Sequence, residues 1–156
     1  MRHRIRGAAV VIHEGRLLLA RHDDKKCGLS WWSPPGGGVE KEEDILTAAA
    51  REAEEETSLR VVPFRPIYGQ ELIDRRRSNR TLEYFVLCEL AAGASPDDIR
   101  AANEIAEARW VDRASSADLP ILPTVFAAAF WDDLAAGFRA FRHLGLKVIG
   151  EGTEAW

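Results

Sequence analysis

The segment Arg51-Glu52-Ala53-Glu54-Glu55-Glu56 constrains the fold of this chain more than any other. It closes a run from Asp44 to about Glu56 that has the make-up of a helix. Asp44 can serve as N-cap, and Ala48, Ala49, Ala50 and Ala53 are strong helix formers. At about 100° per residue, Leu46, Ala49, Ala50, Ala53 and Thr57 fall within one arc, which must be buried. Glu52, Glu55 and Glu56 stand at i, i+3 and i+4 and share a different face at the helix end, whereas Glu54 points away to the surface. Three carboxylates so placed repel one another by roughly a few tenths of a kcal/mol per pair. The helix macrodipole disfavours them further at a C-terminus. A hard divalent cation with oxygen ligands would relieve both penalties, and Mg²⁺ is the natural candidate. Taken alone, the hexapeptide is also what a solvated acidic face looks like, and such faces are common.

The surroundings imply a sheet for this helix to cover. Ile5 to Ile12 is a nearly continuous apolar run, as in a strand covered on both faces. Glu14-Gly15 makes a turn into a returning strand, Arg16 to Arg21. Asp23 to Ser30 reads as a polar loop, and Trp31-Trp32-Ser33-Pro34-Pro35-Gly36-Gly37-Gly38 as irregular backbone. Beyond the helix, Leu59–Leu72 and Thr81–Leu90 have strand composition around a basic loop from Asp74 to Arg80, and a short strand is expected near Ala108–Val111. Phe126, Phe130, Leu134 and Phe138 recur every four residues and predict a helix from about Thr124 to Phe141 packed on the sheet. No repeat or linker divides the chain, which reads as one domain over 1–156 with a tail from 145 that has no clear pattern. Mixed strands and helices in one domain give an α/β sandwich.

Gly37 lies six positions before Glu43, Glu43 eight before Arg51, and Glu52 follows at once. This resembles the box of the Nudix (MutT-like) hydrolases, G-x5-E-x7-R-E-U-x-E-E-x-G-U, where U is a bulky apolar residue. The match runs through Gly37, Glu43, Arg51, Glu52, Ala53, Glu55, Glu56, Ser58 and Leu59. Two positions depart from the pattern: Ala53 is small, and Ser58 replaces a glycine that usually adopts a left-handed C-cap, at a cost of about 1 kcal/mol. The resemblance implies an α/β/α sandwich with a mixed sheet, in which the catalytic helix follows a Pro-Gly-Gly loop. It implies hydrolysis of a diphosphate bond in a nucleoside diphosphate linked to another group. Glu52, Glu55 and Glu56, with the backbone carbonyl of Gly36, would hold Mg²⁺, for which Mn²⁺ can substitute. Arg51 would orient Glu52 or Glu55, with Glu43 as its salt-bridge partner. Family members often carry a further carboxylate, as general base or metal ligand, before the last strand. Glu104 occupies that place, and Glu107 is the alternative.

Basic side chains that could meet phosphate are Arg21, at the end of the second strand, and Arg77 and Arg80 within a cluster that also holds Arg75 and Arg76. A solvated hairpin tip is the competing account of that cluster. Of Trp31 and Trp32, one is expected in the core and the other free to stack. His3, His13, His22 and His143 show no ligand spacing and are expected at the surface, while Cys27 is placed in a loop and Cys88 in a strand core. The substrate signatures outside the box are missing. The proline that marks many ADP-ribose hydrolases is replaced by Ile73, with Pro66 too early, and arginines stand where dinucleoside polyphosphate hydrolases often have a tyrosine. A non-catalytic, nucleotide-binding regulatory domain is the alternative, although such domains usually lose box glutamates and this chain keeps them. An isomerase acting on isopentenyl diphosphate shares the fold but needs a longer chain and a cysteine motif that is absent here.

Composition narrows the rest. The chain has 156 residues, 46% of them hydrophobic, and a formal charge of −4, enough apolar material for a core and too acidic for a general nucleic-acid binder. No apolar run approaches the roughly 18 residues of a membrane span. Two distant cysteines make no disulfide framework, and the basic start is not followed by a signal-peptide core. A cytoplasmic enzyme acting on a small-molecule nucleotide is expected, with no membrane or nucleic-acid partner and with homodimerisation, helped by the tail ending in Trp156, by analogy only.

Overall fold

The computed structural model describes residues 1–150. Its frame is a curled mixed sheet with the order β3-β2-β1-β6-β5-β8, in which β4 and β7 pair off that path with β1 and β2. The strands are β1 (Arg2–His13), β2 (Arg16–Asp24), β3 (Leu29–Ser33), β4 (Gly36–Gly38), β5 (Val61–Asp74), β6 (Asn79–Leu90), β7 (Glu107–Val111) and β8 (Arg142–Ile149). Helix α1 spans Ile45–Thr57, α2 is a single turn at Arg113–Ser116, and α3 spans Ala129–Ala135. Among the described residues no helix is long and apolar enough to cross a membrane.

β1 organises everything else. Its C-terminal end forms a hairpin with β2 through Glu14 (φ 49°) and Gly15 (φ 73°), the two left-handed residues that a tight hairpin turn requires. Its body runs parallel to β6 on one side and antiparallel to β4 on the other. The apolar run is buried on both faces, as its composition implies. Ala8 and Val10 join a cluster with Tyr68, Phe85, Phe126 and Phe130, while Ala9 and Val11 pack with Ala49, Ala53 and Leu59 under α1. The helix comes so close that a Cβ on Gly7 would lie 2.6 Å from the Ile45 carbonyl oxygen. The buried side of α1 is Ala48, Ala49, Ala53, Glu56 and Thr57. Ala48 therefore replaces the expected Ala50 and Leu46, which are only half-buried, because contact with Gly7 rotates the interface toward it.

Several expectations need correction. The stretch after Trp31 is not irregular: Trp31–Ser33 belongs to β3 and the glycines form β4, because pairing with β2 and β1 supplies the hydrogen bonds that local propensity does not. The polar loop shrinks to residues 25–28, since β2 continues to Asp24 and β3 begins at Leu29. The helix over 124–141 does not form as one piece. A 3₁₀ turn at Thr124–Ala127 ends at Ala128 (φ −138°, ψ −103°), and after α3 the backbone turns left-handed at Gly137 (φ 78°) and Phe138 (φ 51°). The aromatic stripe survives that break, since Phe126, Phe130 and Phe138 are all buried in one cluster. Residues 142–149 add β8 parallel to β5, taking in the first five residues of the tail from 145. The tail's Trp156 lies outside the described residues.

Candidate active site

Local chemistry builds the site around the end of α1. Asp44 caps the helix by accepting the Thr47 N–H at 2.7 Å. At the other end Ser58 takes the left-handed conformation (φ 66°), and its N–H bonds the Glu54 carbonyl at 2.9 Å. The loop after β6 docks on the carbonyls that end the helix. Arg100 and Ala102 donate their N–H groups to Thr57 and Glu56, and Asn103 Nδ2 reaches the Glu55 carbonyl at 3.3 Å. Glu104, exposed, follows directly on that tether.

Arg51 arranges the acidic side chains. Its Nε and Nη2 donate to both oxygens of Glu43, at 3.1 and 2.7 Å, in the two-pronged geometry that suits a guanidinium. Nη1 donates to Glu52 at 2.9 Å and to Glu55 at 3.1 Å, and Nη2 also reaches the Gly38 carbonyl at 3.0 Å. These bonds hold the Glu43 carboxyl below the usual carboxylate range and push Arg51 further toward its charged form. One side chain thus joins the glycine strand, the loop before the helix and two of the three helix carboxylates.

Glu56 lives in another environment. It is buried and accepts the Gly36 N–H at 3.3 Å. Burial pushes its carboxyl up to about 7; the Arg6 guanidinium opposes that rise, and the nearby negative charge of Glu52 and Glu55 adds to it. Gly37 leaves room for Glu52, because a Cβ there would run into its carboxylate.

Three side chains that short-range spacing does not reveal, the half-buried Arg6 and the buried Glu83 and Gln70, support the glycine strand. Arg6 on β1 donates through Nη2 to the Gly36 carbonyl at 2.6 Å and through Nη1 to Glu83 on β6. Glu83, 2% exposed, accepts on its other oxygen from Gln70 Nε2 of β5 at 2.8 Å. A buried carboxylate is tolerable only when both oxygens are paired, as here. The available signal was the charge at Glu83 in the otherwise apolar Leu82-Glu83-Tyr84-Phe85-Val86-Leu87, on the same sheet face as Phe85.

The remaining expected residues are scattered. Arg21 donates to Asp23 at 3.2 Å and to Glu107 at 2.8 Å, beside an open depression of about 410 Å³ between β2 and β3. Glu107 also binds Arg109 at 2.8 Å, so its carboxylate is committed to two arginines. Arg80 is paired with Glu71, and Arg77 is exposed with a loose 3.8 Å contact to Asp74. Trp32 is core and Trp31 stacks on His22 at 5.3 Å, so His22 is half-buried and not a surface residue as expected. Cys88 is buried in its strand and Cys27 is exposed, as anticipated.

The donor set suits a hard cation: Glu52, Glu55, Glu56 and the second lone pair of the Gly36 carbonyl are all oxygen. Among the described residues no three acidic, imidazole or thiol groups stand as a ready cation cage, and Arg51 occupies oxygens of two of the carboxylates.

A curled mixed sheet flanked by helices, with a carboxylate-ended helix entered from a glycine strand, makes an α/β/α sandwich. The family model described as the NUDIX domain matches residues 1–126. The chain belongs to the NUDIX family. Solved structures bear out the fold. A NUDIX hydrolase from Nitrosomonas europaea is 19% identical with a TM-score of 0.72, covering 96% of this chain and 81% of that one. A MutT protein from Methanosarcina mazei Go1 is 22% identical (TM-score 0.67, 89% and 97% covered). An ADP-ribose pyrophosphatase from Streptococcus suis 89-1591 is likewise 22% identical (TM-score 0.59, 94% and 98% covered). No curated protein matches the chain in sequence.

Proposed function

We propose that the protein is a Mg²⁺-dependent hydrolase that cleaves a diphosphate bond in a nucleoside diphosphate linked to another group, of the nucleoside triphosphate, ADP-ribose or nucleotide-sugar type. The observation that carries this reading is the Arg51 fork, which gathers Glu43, Glu52 and Glu55 against the glycine strand where Glu56 is buried. A solvated acidic face would need no such arginine and would not bury one of its carboxylates.

Glu52, Glu55, Glu56 and the Gly36 carbonyl would hold the metal. When bound, Mg²⁺ neutralises the diphosphate oxygens and makes water a better nucleophile. The chain's own part is positioning. Arg51 fixes the Glu52 and Glu55 carboxylates through charge-assisted bonds, and Gly37 keeps space for Glu52. Glu104, held beside the helix end by the Asn103 tether, is assigned as the base that takes the proton from the attacking water. Glu107 is set aside because two arginines already occupy it. Arg21, Arg77 and Arg80 are assigned to substrate phosphates, Arg21 exchanging Asp23, Arg77 exchanging Asp74 and Arg80 exchanging Glu71 for a phosphate oxygen. Cytoplasmic residence, Mn²⁺ as a substitute metal and pairing of two copies belong to the same reading.

The test is phosphate release from a panel of (d)NTPs, oxidised dGTP, ADP-ribose, nucleotide sugars and dinucleoside polyphosphates, with Mg²⁺ and with EDTA. Turnover of one class that requires Mg²⁺ and disappears in Glu55→Gln and Glu56→Gln supports the proposal. Wild-type rates in both variants overturn the metal assignment.

A further inference from the structure

On the sheet face away from α1, a pocket of about 220 Å³ opens between β5, β8 and the segment that carries the 3₁₀ turn and the start of α3. Its walls are mostly apolar, with Pro123, Val125, Ala129 and Leu144 among them, and Lys147 stands on the β8 side. Gln70 of β5 lines it and is fully buried. Among the described residues no protein group donates to Gln70 Oε1.

The amide of Gln70 has no freedom to turn round. Arg6 donates to one oxygen of Glu83, which therefore acts as an acceptor, and its other oxygen takes the Gln70 Nε2 at 2.8 Å. A flipped amide would set two oxygens against each other. Glu83 thus orients Gln70 so that its carbonyl, an acceptor only, is the end left over. A buried acceptor without a donor is unfavourable, and a ligand that brings an N–H or O–H repairs it.

Size and wall chemistry choose between those donors. The volume is below the roughly 300–1,000 Å³ of pockets for drug-sized ligands, so one ring system fits and a whole nucleoside does not. A hydroxyl-rich sugar would leave most of its oxygens against apolar walls, whereas a flat heterocycle packs its faces there and spends its edge on Gln70. Lys147 can donate to an acceptor on the same ring. The pocket is also wired to the hydrolytic site, because Gln70, Glu83, Arg6 and the Gly36 carbonyl form one hydrogen-bonded chain across β5, β6, β1 and β4.

We infer that this pocket is the recognition site for the nucleobase of the substrate, with the Gln70 carbonyl accepting an N–H from the heterocycle. The inference rests on the hydrolase reading for what the base is attached to. It makes Gln70 a specificity residue that neither the sequence motif nor the fold match assigns.

The test is calorimetric binding of AMP, GMP, CMP, UMP and ribose 5-phosphate in EDTA, where no turnover occurs. At least one nucleotide should bind about tenfold or more tightly than ribose 5-phosphate, and this preference should vanish in Gln70→Met. Ala129→Leu, which fills the pocket and leaves the Gln70–Glu83–Arg6 chain alone, should abolish it too, so the test survives if Gln70→Met does not fold. Equal binding of all five ligands, tighter binding of ribose 5-phosphate than of any nucleotide, or an unchanged preference in Ala129→Leu overturns the inference. Mg²⁺-dependent hydrolysis measured on the same proteins keeps the two readings apart. Turnover without base preference removes the pocket and spares the hydrolase, and base preference without turnover on any diphosphate does the reverse.

Discussion

Gly37 and Glu52 compete for one volume: a Cβ on the glycine would coincide with the glutamate's carboxylate. The neighbouring Gly38 is under no such demand, since a Cβ there would meet only Arg4 Nη2, at 3.4 Å. Of two adjacent glycines of one short strand only Gly37 is thus held by a neighbour, and a substitution at each separates them.

Gly37→Ala should displace the Glu52 carboxylate and lower Mg²⁺-dependent kcat by about 10²-fold, the scale set by a misplacement of about 1 Å in a catalytic group. Overpacking should cost roughly 1–3 kcal/mol of stability. Gly38→Ala should stay within a few-fold of wild type. Steady-state kinetics with thermal melts on both variants check this, and equal behaviour of the two would show that Glu52 can move aside freely.

Arg51→Lys keeps the charge and removes the fork. An ammonium cannot bind both Glu43 oxygens and still reach Glu52, Glu55 and the Gly38 carbonyl, all of which Arg51 contacts. The expected loss is about 1–3 kcal/mol of stability and roughly 10–100-fold in kcat/KM, as for other groups that orient metal ligands. Urea unfolding and kinetics at saturating Mg²⁺ provide the measurement. A variant with wild-type kcat/KM would show that the carboxylates need no arginine to align them.

What the sequence disclosed of this site followed from range. Glu52, Glu55 and Glu56 share a helix face by spacing alone, and Asp44 and Ser58 mark the ends of that helix by local chemistry. Arg6, Gln70 and Glu83 were hidden because they meet only after three strands from separate parts of the chain take their register, with β1 parallel to β6 and β5 antiparallel to it. The aromatic repeat from Phe126 to Phe138 was read as one helix because periodicity reports which residues are buried, not whether the backbone between them is continuous. The break at Ala128 carries no compositional mark, whereas Gly137 (φ 78°), next to the left-handed Phe138, is the residue type that commonly ends a helix. β8 escaped because an edge strand has one neighbour, and its Leu146 and Val148, which alternate with Lys147, are exposed and not buried against a core.

Ser58→Gly tests the helix end. Ser58 is left-handed (φ 66°), a conformation that costs a side chain and is free for glycine. Its hydroxyl donates to the Arg100 carbonyl at 3.1 Å, but at an exposed position where water can replace it. The substitution should raise stability by a fraction of a kcal/mol, up to about 1 kcal/mol. A fall in Tm would mean that the bond to Arg100 holds the Glu104 loop in place more strongly than the backbone strain opposes it.

The pH dependence of stability isolates Glu56. Its carboxyl, ordinarily near 4.5, is pushed up to about 7 in the folded protein, first by burial and then, against the opposing pull of Arg6, by the charges of Glu52 and Glu55. Between those values the folded protein keeps a proton on Glu56 that the unfolded chain has released. The stability this group contributes is therefore complete below about pH 4.5 and is lost as the pH rises through about 7. Glu56→Gln is neutral at every pH and escapes that loss. In EDTA, the difference in unfolding free energy between Glu56→Gln and wild type should move in favour of the variant by about 1–3 kcal/mol between pH ~5 and pH ~8. The same variant should lose Mg²⁺-dependent turnover by orders of magnitude, so stability and activity move in opposite directions at one residue, the mark of a group placed for chemistry at the expense of the fold. Urea titrations at the two pH values decide it. Parallel curves would show that Glu56 is charged in the folded state throughout and that the carboxylates share less mutual repulsion than their burial implies.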